Sequence, residues 1–288
     1  MKMIRNGTVQ IATESFGDAD DPPLILIMGA TASMLGWPDA LCQALADQGL
    51  HVIRFDHRDT GRSTTVPPGT AAYAVEDMAR DVIAVLDGYD IGSAHLMGMS
   101  LGGYIAQMVA LSYPHRVRSL TLVASEPLGW DGAALPHMAP EFMAHFSGLA
   151  TLDWTNEDAV AAFLLEIDRL SLGPADVFDA DALRSRIAQV LSRTDSIASI
   201  FNHATLTTRD DWTGRYRDIT QPTLIIHGTD DPVLPLANGR ALADGIAGAR
   251  LVELQGTGHA LPDARHARIA AELGTHIRAA ESDGGSVR

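Results

Sequence analysis

The residues best suited to covalent chemistry lie in Gly98-Met99-Ser100-Leu101-Gly102-Gly103. This stretch follows a short apolar run, Ala94-His95-Leu96-Met97, and opens a helical pattern from Tyr104 to Leu111. Strand, Gly-x-Ser-x-Gly, helix is the context of a nucleophile elbow, in which a sharp turn lifts a serine hydroxyl above a sheet. The turn forces strand and helix close together, and Gly98 and Gly102 supply the room because a Cβ at either would clash. The helix N-terminus beneath Ser100 leaves unpaired N–H groups near Oγ, a good place for a developing oxyanion.

A serine hydroxyl is a weak nucleophile at neutral pH and needs a base, which in turn needs an orienting acid. Eleven histidines are present, and a lone histidine is most often structural. His259 stands out because it follows an apolar strand within the glycine-rich Gly256-Thr257-Gly258, which permits close backbone approach. His57 is the reserve base, and His227 at the end of a buried run reads as structural. Three carboxylates follow strand ends: Asp230, Asp231 and Glu126. Asp231 precedes Pro232, which biases it to extended backbone. Adjacent side chains there diverge, so only one of the aspartate pair should face the base.

The elements that would position these groups alternate. Two antiparallel strands are predicted over residues 2–16, with a hairpin at Asn6-Gly7. Leu24-Ile25-Leu26-Ile27-Met28 is a continuous apolar run, as in a strand covered on both faces. A helix follows from Pro38 to Gly49, then a strand at His51-Val52-Ile53-Arg54-Phe55. The polar loop Asp56-His57-Arg58-Asp59-Thr60-Gly61-Arg62-Ser63 is expected to be structural, its groups bonding one another and nearby backbone. Met78, Val82 and Leu86 mark a helix, and Leu120-Thr121-Leu122-Val123-Ala124 a buried strand. From Pro127 to about Arg215 no strand candidate occurs. Helices are predicted near 140–149, after a capping box at Thr155-Asn156-Glu157-Asp158, and over 180–192 and 194–204. Strands resume at Thr223-Leu224-Ile225-Ile226-His227 and Leu251-Val252-Glu253-Leu254, with a helix from Leu236 to Ala247 between them. A last helix carries Ile269, Leu273 and Ile277, and Glu281 to Arg288 is expected to be a loose tail. The expected fold is α/β, a mainly parallel eight-stranded sheet with helices on both faces and an inserted helical cap. The core spans residues 1–126 and 216–288, and the cap 127–215.

Composition narrows the function classes. The 288 residues are 46% hydrophobic and 20% charged, enough for a sizeable core. With 21 Lys plus Arg against 36 Asp plus Glu, the net charge is −15, which disfavours nucleic acid and anionic substrates. The single cysteine, Cys42, excludes an intrachain disulfide and sits in an amphipathic helix, where it is expected to be buried and inert. No apolar signal core opens the chain and no stretch reads as a membrane span, so a cytoplasmic setting without membrane attachment is expected. No metal motif, phosphate loop or dinucleotide fingerprint occurs, so neither metal nor cofactor is expected.

Met28-Gly29, Gly36-Trp37-Pro38, residues 56–63, the elbow, Gly228-x-x-Asp231-Pro232 and Gly258-His259-Ala260-Leu261-Pro262 together resemble the serine α/β-hydrolases over nearly the whole chain. The likeness extends to the aclacinomycin methylesterase and cofactor-free haloperoxidase-like esterases. The resemblance implies Ser100 as nucleophile, Asp231 as acid and His259 as base, with oxyanion donors at the N–H groups of Ala30 and Leu101. Many relatives carry His-Gly where this chain has Met28-Gly29. Since the oxyanion donors are backbone groups, Met28 should not abolish catalysis. The inserted segment would form a lid, with Met28, Trp130, Phe142, Phe146, Trp154 and Phe163 as candidate pocket residues. Phe178 and Phe201, with Met138 and Met143, complete an apolar lid.

A cofactor-free carboxylic ester hydrolase acting through an acyl-enzyme is therefore expected, on apolar or methyl and short-chain esters. Acyl transfer or perhydrolysis at the same site is the alternative, and a ligand-binding protein on the hydrolase scaffold the rival of another class. The expected partner is a small-molecule ester, and a homodimer is allowed.

Overall fold

A computed structural model describes residues 1–136 and 138–284. Eight strands form one sheet: β1 (Lys2–Asn6), β2 (Val9–Phe16), β3 (Pro23–Ile27), β4 (His51–Phe55), β5 (Ala94–Met99), β6 (Val117–Val123), β7 (Thr223–Gly228) and β8 (Arg250–Leu254). Their order across the sheet is β1-β2-β4-β3-β5-β6-β7-β8. β1 pairs antiparallel with β2, and β2 with β4; every other pairing is parallel. The eight-stranded, mainly parallel α/β fold expected from the sequence is present.

Alternation along the strands splits the core in two. Ile25 and Ile27 of β3 and Ile225 of β7 face one way, packing with α2 (Val75–Gly88), α3 (Leu101–Ser112) and α7 (Ala237–Gly245). Leu24, Leu26, Leu224 and Ile226 face the other, against α1 (Asp39–Ala46) and α8 (Asp263–Gly284). Both faces are covered, which is why these strands read as unbroken apolar runs. Cys42 is buried on the α1 side, and burial pushes its thiol up to about 11. α8 runs through Glu281, which meets His95 and Arg118, so residues 281–284 are helix rather than tail. Residues 285–288 of the expected tail lie outside the described residues.

The chain moves outward from β3 to β4, then returns to lay β5 on the other side of β3. Loops at the carboxyl ends of β3 and β5 therefore diverge, leaving the crevice where open α/β sheets bind ligands. The long connection between β6 and β7 holds α4 (Pro140–Ser147), α5 (Glu157–Leu170), α6 (Ala180–Arg193) and a 3-10 segment, Ile197–Thr205, with no strand among its described residues. The cap of α5 is Asn156 rather than Thr155: its side chain accepts the Ala159 N–H. Among the described residues no helix is long and apolar enough to cross a membrane.

Candidate active site

Ser100 sits between β5 and α3 at φ 52°, ψ −120°, a conformation that non-glycine residues rarely adopt. Its N–H donates to Val123 O at 2.9 Å, and the Ser125 hydroxyl donates to Ser100 O at 2.9 Å, so β6 holds the turn in place. A Cβ at Gly102 would lie 2.0 Å from Ile27 O, and one at Gly98 2.2 Å from Gly102 O. The two glycines let the elbow press against the end of β3. Gly29, just past that strand, is so close that a Cβ there would lie 3.3 Å from Ser100 Cβ and 3.9 Å from its Oγ. The Gly29-Ala30 loop thus flanks the serine. The Leu101 N–H, at the first turn of α3, has no acceptor within the helix.

His259 and Asp231 meet at the ends of β8 and β7. His259 Nδ1 lies 2.8 Å from Asp231 Oδ2. The other carboxylate oxygen accepts the N–H groups of Val233 and Leu234, each at 2.8 Å. His227 Nε2 approaches to 3.5 Å while donating to Leu234 O at 2.6 Å, the structural role expected for it. Burial alone would raise the Asp231 carboxyl, but His259, His227 and these hydrogen bonds draw it well below the usual carboxylate range. An ionised carboxylate only accepts, so His259 Nδ1 carries the proton and Nε2 of the neutral ring is left as a base. Asp230 turns away, exposed, and accepts the Thr229 hydroxyl at 2.6 Å. Glu126 is exposed at the end of β6.

His57 is not placed as a base. Its buried Nε2 donates to Met28 O at 2.8 Å, under the loop that flanks Ser100. The rest of residues 56–63 is bonded as a structural loop, within itself and to its neighbours: Asp56 accepts from Met34 N, Arg62 N and Arg193, Arg58 pairs with Asp81, Asp59 accepts from Tyr73 and Asn202, and the Ser63 and Thr60 hydroxyls donate to Asp56 O and His57 O.

Four of the expected pocket aromatics converge. Phe142 stacks on Phe146 at 5.3 Å between centroids, and Phe146, Trp154 and Phe163 all meet Phe201 at 5.6 to 6.2 Å. Trp130 and Met28 do not join them. Trp130 packs on Tyr216 and donates to Ala133 O, and Met28 lies in the core over Gly36. Met28 directly follows β3 and packs into the core beside α1, while Trp130, well past the end of β6, packs against the core on the opposite face. Phe178 is half-exposed on the loop before α6.

Sequence alone gave no sign of His203. This residue, in the 3-10 segment, accepts the Thr31 N–H on Nδ1 at 3.1 Å and donates from Nε2 to Arg58 O at 2.7 Å. Its partners lie 172 and 145 residues away, and no local pattern encodes such pairings. Among the described residues no group of three or more His, Cys, Asp or Glu is arranged to hold a metal ion.

Known proteins resemble the chain over most of its length. Rhodomycin D methylesterase of Streptomyces peucetius is 35% identical over 97% of this chain and 98% of its own. A putative carbamate hydrolase of Pseudomonas syringae is 32% identical over 84% of this chain and 88% of its own. In structure, an esterase of Exiguobacterium antarcticum superposes with a TM-score of 0.77 over 96% of this chain and 98% of its own, at 19% identity, a likeness of fold. A family model described as the alpha/beta hydrolase fold spans residues 22–263, from the start of β3 to just past His259. With the elbow at the sheet's switch point and an acid–histidine pair at the ends of β7 and β8, the chain belongs to the alpha/beta hydrolase fold family.

Proposed function

We propose that the protein hydrolyses carboxylic esters through a Ser100–His259–Asp231 triad and an acyl-enzyme. The observation that carries this is the 2.8 Å bond from His259 to a buried, ionised Asp231, on the same rim as a serine held at positive φ. Ser100 Oγ attacks the ester carbonyl as His259 Nε2 takes its proton. The Ala30 and Leu101 N–H groups receive the negative charge that develops on the carbonyl oxygen. The imidazolium, stabilised by Asp231, then protonates the departing alkoxide, and the alcohol leaves. Water, activated by the same ring, releases the acid from Ser100.

Residues 127–215 act as a cap in this scheme. Phe142, Phe146, Trp154, Phe163 and Phe201 give it a cluster of ring faces suited to an apolar, flat acyl portion. Similarity to a methylesterase favours a methyl ester, with methanol as the leaving alcohol. The net charge of −15 favours a neutral small-molecule ester.

A fluorophosphonate probe and a panel of p-nitrophenyl and methyl esters of varied chain length test the proposal. Ser100→Ala should fold normally, lose the label and lower ester turnover by at least about three orders of magnitude. Undiminished turnover by that variant would exclude Ser100 as the nucleophile.

A further inference from the structure

The loop proposed to supply the Ala30 N–H is pinned on both sides by buried histidines. On one side His57 Nε2 donates to Met28 O at 2.8 Å, fixing the peptide that links Met28 to Gly29. On the other, His203 Nδ1 accepts the Thr31 N–H at 3.1 Å, fixing the peptide that links Ala30 to Thr31. Thr31 is at φ 64°, in the left-handed region that a β-branched residue avoids. The peptide between the two pinned ones carries the Ala30 N–H, for which no protein acceptor is present among the described residues. The tautomer of His203 follows from its partners. Thr31 N–H can only donate and Arg58 O can only accept, so Nδ1 is bare and Nε2 protonated. The two rings meet edge to face at 5.9 Å. Burial holds both below the ordinary histidine value, with His57 down to about 3.

We propose that His203 is a positioning residue for ester hydrolysis: by accepting the Thr31 N–H it holds the Ala30 N–H where the oxyanion forms, with His57 fixing the opposite side of the loop. The inference rests on the oxyanion role given to Ala30 above. Its consequence is that the connection between β6 and β7, which brings His203, completes the catalytic apparatus as well as covering it. Ser199 and Asn202 of the same 3-10 segment fasten it to the core, donating to Val66 O and to Asp59. The bond to Thr31 is therefore not the segment's only tie, and its removal should leave the segment docked.

Two isosteres separate positioning from packing. In His203→Asn the side-chain oxygen falls near the place of Nδ1 and still accepts from Thr31, but the donor to Arg58 is lost. In His203→Gln the amide nitrogen falls near the place of Nε2 and still donates to Arg58, but nothing accepts from Thr31. His203→Gln is expected to lower kcat on a p-nitrophenyl ester by about tenfold to a hundredfold, as for a misplaced oxyanion donor, with KM within about twofold. His203→Asn should stay within about threefold of the wild type in kcat, on the same scale of donor placement. Affinity for a trifluoromethyl ketone, which Ser100 converts to an oxyanionic hemiketal while its proton passes to His259, should fall in parallel with kcat. Thermal unfolding of both variants reports folding separately. A Gln variant as active as the Asn variant or more so, with wild-type turnover normal, overturns this inference alone. Absence of turnover and of Ser100 labelling in the wild type would sink the ester-hydrolase proposal and this inference with it.

Discussion

Asp231 is proposed as the acid because of what surrounds its two oxygens. One accepts two backbone N–H groups of the turn after β7, and the other meets His259. Its neighbour Asp230 is exposed and engaged by Thr229. The extended backbone before Pro232 sends the two side chains apart, so the inference that only one can face the histidine was available from sequence. Local geometry did not say which: the choice of Asp231 came from the resemblance carried by Gly228-x-x-Asp231-Pro232, because the path of β8 and the His259 loop is set by pairings far along the chain, and Asp231 is the one found facing His259. Asp231→Asn should lower ester turnover by about four orders of magnitude, because an amide cannot fix the base's tautomer or stabilise the imidazolium. Asp230→Asn and Glu126→Gln should each cost less than about tenfold, as expected for groups outside the triad. Measuring all three on one ester decides the assignment: the largest loss at Asp230 or Glu126 would move the acid elsewhere while leaving Ser100 and His259 in place.

The element that does most beyond the sheet is the connection from β6 to β7. Its helices were visible in sequence because Val160, Phe163 and Ile167 repeat at helical spacing, yet three features escaped. The cap of α5 lies one residue later than the box pattern suggested: Asn156 accepts the Ala159 N–H, while the Thr155 hydroxyl donates to Asp153 instead. Residues 197–205 form a 3-10 segment where an α-helix was expected, its side chains drawn to Val66, Asp59 and Thr31. The third is the loop after α5, which binds the His259 loop. Ser171 O accepts from His259 N at 2.7 Å and Ala260 N at 3.2 Å, and Ala175 N donates to Gly256 O. Asp176, buried there, accepts from Gly173 N and Gly258 N at 2.8 Å each. Asp176→Ala leaves two donors without an acceptor beside His259, which should cost about 1–3 kcal/mol of stability. It should also lower kcat more than it raises KM, because the Gly258–His259 backbone is freed while the aromatic cluster is untouched. Urea unfolding and steady-state kinetics check both, and an unaltered kcat would show that Ser171 O alone suffices to hold the loop.

Across the whole molecule, buried neutral histidines tie layers together, and they give its stability a definite pH dependence. His57 supports the loop beside Ser100, His203 joins the β6–β7 connection to it, and His95 joins β5 to Ser119 of β6 and to Glu281 of α8. Burial lowers all three from the ordinary value of 6.5, His57 to about 3 and His95 to about 4. In the unfolded chain these rings take up protons as pH falls through about 6.5. In the folded protein they take up their protons only at lower pH. The unfolded state then binds more protons, so stability is full above pH 6.5 and declines below it. A single fully buried ring such as His57 contributes a slope of about 1.4 kcal/mol per pH unit over that window. Asp56 works against this: burial raises its carboxyl despite Arg193, so the folded state gains a proton there first. Three rings outnumber that one carboxyl, and the Asp231 carboxyl, held low, keeps its contribution throughout the same window. Stability from urea unfolding at pH 7, 6 and 5 should therefore fall with each step, with net uptake of more than one proton on unfolding at pH 5. A flat or rising profile would mean that the rings are already charged in the folded protein. Neither His203 Nδ1 nor the Met28–Thr31 loop could then be held as described.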